Sequence, residues 1–67
     1  MLYAKLKGRI REVCRTQDEF ARRMGLDHST TNQKLNGKSP WKRDEIAKAC
    51  RVLEVPIEHV HEYFFYT

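Results

Sequence analysis

The fold is decided by residues 16–37, whose sequence is TQDEFARRMGLDHSTTNQKLNG. Thr16 and Glu19 have the spacing of a capping box, in which the threonine hydroxyl accepts a hydrogen bond from the Glu19 amide and the glutamate carboxylate accepts one from the Thr16 amide. Phe20 and Met24 follow at the four-residue spacing that places two side chains on one face of a helix. The stretch therefore predicts a helix that begins just after Thr16 and buries both apolar side chains.

A tight turn and a second helix come next. Gly25 can adopt the left-handed conformation that ends a helix, and Asp27 can cap the helix that follows with its carboxylate. Ala21 is small enough to let the two helices approach closely. The second helix is predicted over residues 28–36, so residues 17–36 form a helix-turn-helix.

The predicted second helix separates into two faces. Thr31 and Leu35 point to one side, where they can join the core. Five residues on the other side are rich in hydrogen-bond donors and acceptors and carry no charge unless the histidine is protonated: His28, Ser29, Asn32, Gln33 and Asn36. A helix face that is merely solvated usually carries lysine and glutamate, so this composition indicates a recognition surface.

The remaining segments predict three further helices. Apolar stripes mark the first segment and the fourth helix, which is predicted over residues 42–53. The stripes consist of Leu2, Leu6, Ile10 and Val13 in the first segment and of Ile46, Ala47, Cys50 and Leu53 in the fourth helix. Trp41 is expected to be a lid on the core, and Pro56 can open a short fifth helix. Residues 1–67 are therefore predicted to form one all-α domain, a compact four- to five-helix repressor-like fold.

Charge is unevenly distributed along the chain. All 13 lysines and arginines lie within residues 1–52, whereas residues 53–67 contain three glutamates, Glu54, Glu58 and Glu62, and neither lysine nor arginine. A basic body suits a polyanion such as nucleic acid, because neutralised phosphates release condensed counterions. The acidic and aromatic tail suits the surface of another protein instead.

Several classes of function find no support in the sequence. A zinc site would need regularly spaced ligands, and this spacing is absent from the set Cys14, Cys50, His59 and His61. We therefore predict two buried thiols and no metal. Neither a catalytic constellation nor a glycine-rich phosphate loop is present, and we therefore expect no enzyme, cofactor or small-molecule substrate. The first residues lack a secretory pattern and no apolar run is long enough to span a membrane, which predicts a cytoplasmic protein without a membrane partner.

Residues 16–53 together resemble a known family. The most specific pieces are the T-Q-x-E-x-A-x-x-x-G pattern, the N-G-K that closes the second helix and the E-I-x-K-x-x-x-x-L of the next one. They are similar to the lambdoid-type phage repressor and Cro helix-turn-helix family, particularly to short Cro-like or modulator-of-repression regulators of phages of Gram-positive bacteria. The resemblance implies a transcriptional regulator that binds a double-stranded DNA operator, with its recognition helix in the major groove.

The resemblance also assigns DNA contacts to individual residues. Base-edge contacts come from the start and middle of the recognition helix, which here are His28, Ser29, Asn32 and Gln33. Phosphate contacts are assigned to Gln17, Asn36, Lys38, Lys42 and Arg43. Thr31 and Lys34 depart from the family, which usually has apolar residues there. A threonine methyl and a lysine stem can cover apolar surface while their polar ends reach solvent.

The C-terminal tail, residues 56–67, is the candidate dimer or partner interface. It holds more large aromatic side chains than the end of so small a domain can bury by itself, namely Tyr63, Phe64, Phe65 and Tyr66. We expect Phe64 to pack back on Ile57 and Val60 together with one neighbour, and the rest to form an exposed patch. In a homodimer on DNA, two tails would meet across a two-fold axis and place two recognition helices on successive major grooves.

A protein-binding role is the alternative to an operator-binding repressor. An antirepressor or antitoxin-like module would keep the helix-turn-helix as a scaffold and capture another regulator, such as a phage repressor, through its surface or tail. The polar outer face of residues 28–36 favours DNA, since a scaffold has no need of it. The acidic and aromatic tail favours a protein partner, and one chain can combine both functions.

Overall fold

A computed structural model describes residues 2–65 of the chain, and all regular structure in this range is helical. The elements in chain order are α1 Ala4–Cys14, α2 Gln17–Met24, α3 His28–Leu35, α4 Arg43–Val52, a 3₁₀ turn Ile57–His59 and α5 Val60–Phe64. Helix α2 packs against α1, α3 and α4, and α5 packs against α1 and α4. The prediction of an all-α fold with four to five helices is confirmed.

The helix boundaries in the central stretch follow from local hydrogen bonds. The Thr16 hydroxyl accepts from the Glu19 amide at 3.1 Å, as predicted. The second half of the capping box is wrong, because the Glu19 carboxylate binds the Arg22 and Arg23 guanidinium groups at 2.6 and 2.8 Å. Two charged donors one turn away are stronger partners for a carboxylate than a neutral backbone amide.

The turn between α2 and α3 has the predicted chemistry. Gly25 ends α2 with a φ of 74°, in the left-handed region, and the Asp27 carboxylate caps α3 by accepting from the Thr30 amide at 2.7 Å. Helix α3 ends at Leu35, one residue before the predicted end, and Gly37 follows with a φ of 75°. The hydrogen bond and the two φ angles define α3 as a short helix that a sharp turn separates from α2.

The core face of α1 differs from the predicted stripe. Leu6 and Ile10 are buried as expected, but the third buried residue is Cys14 and not Val13. Leu2 precedes the helix and is 37% exposed. Its side chain covers Gly37, where a Cβ atom would stand 2.5 Å from Leu2 Cδ2. The buried residues of α1 therefore follow each other at a uniform step of four, and Leu2 is not among them because the helix begins at Ala4.

Trp41 closes the core between two aromatic rings, which confirms its predicted role as a lid. Its ring centroid lies 6.5 Å from that of Phe20 and 5.1 Å from that of Phe64 in an edge-to-face arrangement. Cys14 and Cys50 are buried free thiols, also as predicted. Burial raises the pKa of both thiols. None of the helices within residues 2–65 has the length and apolar character needed to cross a membrane.

Candidate functional site

The first candidate surface is the outer face of α3, which we call the α3 polar face. A shallow depression of about 170 Å³ brings together six side chains, those of His28, Ser29, Asn32, Gln33, Asn36 and Lys38. All four residues predicted to contact bases lie in it, with two of the five predicted to contact phosphate. The helix and the turn after it therefore assemble this part of the predicted site.

Three side chains of the α3 polar face form contacts within the chain. His28 Nδ1 pairs with the Asp18 carboxylate, and the Asn36 amide donates to the Asn32 side-chain oxygen. Asp18 lies in the first turn of α2 with its side chain 75% exposed. A carboxylate there repels the phosphates that would have to approach this edge of a helix-turn-helix. Asp18 and His28 lie in different helices, so the pattern of neither helix alone predicts this pairing.

The other predicted phosphate-binding residues lie apart from this face. Gln17 lines a separate depression beside basic side chains of α1. Lys42 precedes α4, and its backbone amide donates to the Glu45 carboxylate at 2.9 Å. Arg43 lines a third surface, described next. The predicted set is therefore divided among different parts of the domain.

The second candidate surface is an apolar groove between α4 and the C-terminal segment, which we call the C-terminal groove. It has a volume of about 380 Å³ and is lined by Trp41, Arg43, Ile46, Ala47, Ile57, Val60 and Phe65. Ile57 and Phe65 are 62% and 60% exposed, the largest exposures among the big apolar side chains of residues 2–65. The groove is the only candidate surface here that presents large apolar side chains to solvent.

The aromatic tail is divided between the core and the groove. Phe64 is buried, Tyr63 is half-buried and Phe65 is exposed. Tyr66 lies outside the described residues. Phe64 packs into the core as expected, with Tyr63 and Val60 against the same cluster, and its ring meets that of Trp41. Ile57, which was expected to lie under it, is on the 3₁₀ turn and 62% exposed. Ile57 was therefore missed as a surface residue, since its apolar character predicted burial.

Helix α5 is held in place by contacts from α1. The Lys5 ammonium lies 3.1 Å from the Glu62 carboxylate and 5.2 Å from the centroid of the Tyr63 ring. Hydrogen bonds from Lys5 and His59 lower the pKa of Glu62. The His61 ring lies beside that of Phe65, with centroids 5.8 Å apart. These contacts fix the side of the groove that α5 and Phe65 supply.

Carboxylates accompany the groove in the chain. Glu54 and Glu58 are exposed, and neither forms an ion pair within the described part of the chain. Glu58 directly follows Ile57, so a negative charge adjoins one of the two exposed apolar side chains. Glu62, by contrast, is already paired with Lys5. The charged side chain that lines the groove itself is that of Arg43, and Glu58 adjoins the groove through its place in the chain after Ile57.

Lys34 is buried against the inner side of this region, contrary to prediction. The residue is 3% exposed, and its ammonium lies 2.8 Å from Glu45 Oε1 and donates to the Pro40 carbonyl at 3.0 Å. It also lies 5.9 Å from the centroid of the Trp41 ring. The expected escape of the ammonium to solvent is wrong because the loop after α3 folds over it and supplies these partners. Although burial opposes ionisation, the Lys34 ammonium and the Lys42 amide lower the pKa of Glu45.

Thr31, the other departure from the family, satisfies its hydroxyl within its own helix. The side chain is 1% exposed, and Oγ1 donates to the Asp27 carbonyl at 3.0 Å. As for a metal site, residues 2–65 contain no cluster of three or more histidine, cysteine or acidic side chains able to hold an ion.

Comparison with known proteins places the chain among small regulators. All of residues 1–67 match the family model described as Protein of unknown function (DUF739). No curated protein matched. Among solved structures, the chain is similar to the solution structure of the modulator of repression (MOR) of the temperate bacteriophage TP901-1 from Lactococcus lactis. The two share 48% sequence identity and a TM-score of 0.87, over 96% of this chain and 86% of that one.

This similarity corrects the predicted function. The resemblance to small phage regulators is confirmed, but the prediction of a Cro-like repressor that binds an operator is wrong, because the similar protein is a modulator of repression and not a repressor. The sequence pattern could not separate the two functions, because the same helix-turn-helix scaffold can serve either DNA or protein binding. The DNA contacts assigned to single residues and the homodimer on DNA both followed from operator binding. With operator binding overturned, we do not propose them further.

Proposed function

We propose that this chain, which belongs to the family described as Protein of unknown function (DUF739), is a regulatory protein that binds a second regulator, a DNA-binding repressor, and alters its activity. The observation that carries the proposal is the C-terminal groove with its two exposed apolar side chains, Ile57 and Phe65. The name of the similar protein, modulator of repression, supports the same role. Residues 1–67 would act as one module, without catalysis.

The groove has the character of a protein-binding site. Small monomeric domains seldom expose large apolar side chains side by side unless a partner covers them. Burying a side chain such as Ile57 or Phe65 fully is worth about 1.5–3 kcal/mol relative to leaving it in water. The groove between α4 and the tail is open enough to admit an apolar side chain of the partner, which is the usual arrangement of an interface anchor.

The charge beside the groove selects the kind of partner. A DNA-binding repressor has a basic surface, because it must neutralise phosphates. Glu54 and Glu58 lie within three residues of Ile57 in the chain and are exposed, whereas Arg43 is the charged side chain that lines the groove. Opposite charges steer two proteins together and set their orientation. We therefore place the repressor's basic surface against this side of the chain. Basic side chains engaged in this way are no longer available to DNA.

The proposal is tested by direct binding of purified proteins. The chain is titrated by calorimetry against each helix-turn-helix repressor encoded in the same genome. We expect one of them to bind the wild-type chain, and Ile57→Ser/Phe65→Ser to weaken that binding by at least about tenfold, the equivalent of about 1.4 kcal/mol. Gln33→Ala, on the exposed α3 polar face, is the matched control and should leave the affinity within about twofold. Failure of every repressor to bind, or an equal loss in the control, contradicts the proposal.

A further inference from the structure

The buried ammonium of Lys34 links α3 to Trp41, which lines the C-terminal groove. It contacts the Glu45 carboxylate at the start of α4 and the carbonyl of Pro40, the residue immediately before Trp41. It also faces the Trp41 ring at 5.9 Å from its centroid. One cation thus binds Pro40, which precedes Trp41, and Glu45, which follows it by four residues, and lies over the indole ring.

Trp41 depends on its neighbours for its position. Its indole N–H is buried and has no hydrogen-bond partner within the described residues, so no polar contact of its own fixes the ring. The ring packs against Phe64, against the more distant Phe20 and beneath the Lys34 ammonium, and these contacts hold it in place. Trp41 is also a wall of the groove. Anything that moves the indole therefore changes the shape of the groove.

We propose that Lys34 is a positioning residue for partner binding: its ammonium holds segment 40–45, and with it the Trp41 indole, in the arrangement that keeps the groove open for the repressor. This inference rests on the proposed function of the groove. Lys34 itself does not touch the partner, because it is buried on the inner side of the loop. Its influence passes through the Pro40 carbonyl and through its contact with the Trp41 ring.

A double variant can separate a positioning role of Lys34 from a purely structural one. Removing Lys34 alone leaves the Glu45 carboxylate buried without its cation, which destabilises the domain whatever the role of the groove. Lys34→Met/Glu45→Gln removes that charge as well, and the glutamine oxygen can still accept from the Lys42 amide. The double variant keeps an unbranched side chain at position 34 and the cap of α4, and it lacks the ammonium that faces Pro40 and Trp41 without leaving a buried charge unpaired.

The experiment compares wild type, Lys34→Met, Lys34→Met/Glu45→Gln and the control Lys48→Met, which removes an exposed lysine of α4. Three quantities are measured: stability by urea unfolding, the Trp41–Phe64 ring contacts by nuclear Overhauser effects together with acrylamide quenching, and affinity for the repressor that binds wild type. Trp41 is the single tryptophan, so quenching reports on the groove alone.

We expect the double variant to recover the stability lost in Lys34→Met, yet to retain weakened Trp41–Phe64 contacts, increased quenching and an affinity about tenfold lower than wild type. The Lys48→Met control should match wild type in all three. If the double variant regains wild-type ring contacts and affinity along with stability, Lys34 is only structural and the inference is overturned. If no repressor binds the wild-type chain, the proposed function fails. If the ring contacts and the quenching of the double variant match those of wild type, the positioning role of Lys34 fails, whatever the result for the repressor.

Discussion

The ring of Phe64 meets the indole of Trp41 edge to face, with centroids 5.1 Å apart. This contact turns Phe64 into the core and leaves its neighbour Phe65 at the surface, 60% exposed. Two adjacent phenylalanines of the tail therefore have different tasks. Phe64 anchors α5 to the core, and Phe65 remains available to a partner.

Substitutions at these two positions should separate stability from binding. Phe64→Ala removes a buried ring and should lower the free energy of unfolding by about 3–5 kcal/mol. Phe65→Ala should change it by no more than about 0.5 kcal/mol, because the side chain is exposed, while weakening repressor binding. Urea unfolding and calorimetry measure the two effects. Equal losses of stability would show that Phe65 belongs to the core.

Two glycines should respond to alanine with opposite signs. Gly37 has a φ of 75°, and a Cβ there would stand 2.5 Å from Leu2 Cδ2, so Gly37→Ala should destabilise the domain by about 1–3 kcal/mol. Gly8 lies inside α1 and a Cβ there would meet nothing within 4 Å. Gly8→Ala should therefore stabilise the domain by up to about 1 kcal/mol. Thermal unfolding of both variants checks the signs, and a stabilising Gly37→Ala would contradict the described turn.

The Glu19 carboxylate should make stability depend on pH in the acidic range. Hydrogen bonds from Arg22 and then Arg23 lower the pKa of Glu19 from 4.5 to about 2. A carboxyl group whose pKa is lowered by folding contributes stability that is present above its unfolded pKa and lost as the pH falls through its folded pKa. Wild type should therefore lose stability relative to Glu19→Gln between pH 4.5 and 2. Unfolding curves at several pH values measure this, and Glu58→Gln, which alters an exposed carboxylate without an ion pair, is the control. Parallel profiles for wild type and Glu19→Gln would contradict the assignment.

The free carboxylates should govern how fast the repressor associates. Glu54→Gln/Glu58→Gln should lower the association rate at low salt, and the difference from wild type should shrink as ionic strength rises, because salt screens exposed charges. Asp18→Asn, which removes an exposed carboxylate of α2 away from the groove, is the control for loss of a carboxylate elsewhere. Stopped-flow association rates across a salt series decide this. A salt-independent difference, or the same effect in the control, would place the partner on another surface.

Much of the fold could be predicted because its signals are local. Thr16, Gly25 and Asp27 act through atoms within three or four residues, and their caps and turn appear as expected. Periodicity likewise indicated the buried face of α2. Where a side chain's role depends on a partner far along the chain, the prediction failed. Lys34 is the clearest case, because only the folded loop brings Glu45 and the Pro40 carbonyl to its ammonium.

The candidate site was harder to predict than the fold for the same reason. The composition of α3 indicated a DNA-reading face, but the pairing of His28 with Asp18 joins two helices and is not visible in either alone. The tail was correctly predicted to expose part of its aromatic surface. Ile57 was not predicted as a surface residue because its apolar side chain predicts burial. Its position on the 3₁₀ turn exposes it in the groove that Phe65 also lines.

If the chain acts on a repressor protein through the C-terminal groove, the residues that line the groove must sense the repressor when it binds. Titration of the ¹⁵N-labelled chain with the purified repressor, followed by backbone and indole NMR signals, measures this residue by residue. We expect the signals of Trp41, Ile57 and Phe65 to shift or broaden at stoichiometric repressor, while those of Ser29 and Gln33 on the α3 polar face stay in place. Shifts confined to the α3 polar face, or none at all, would contradict it.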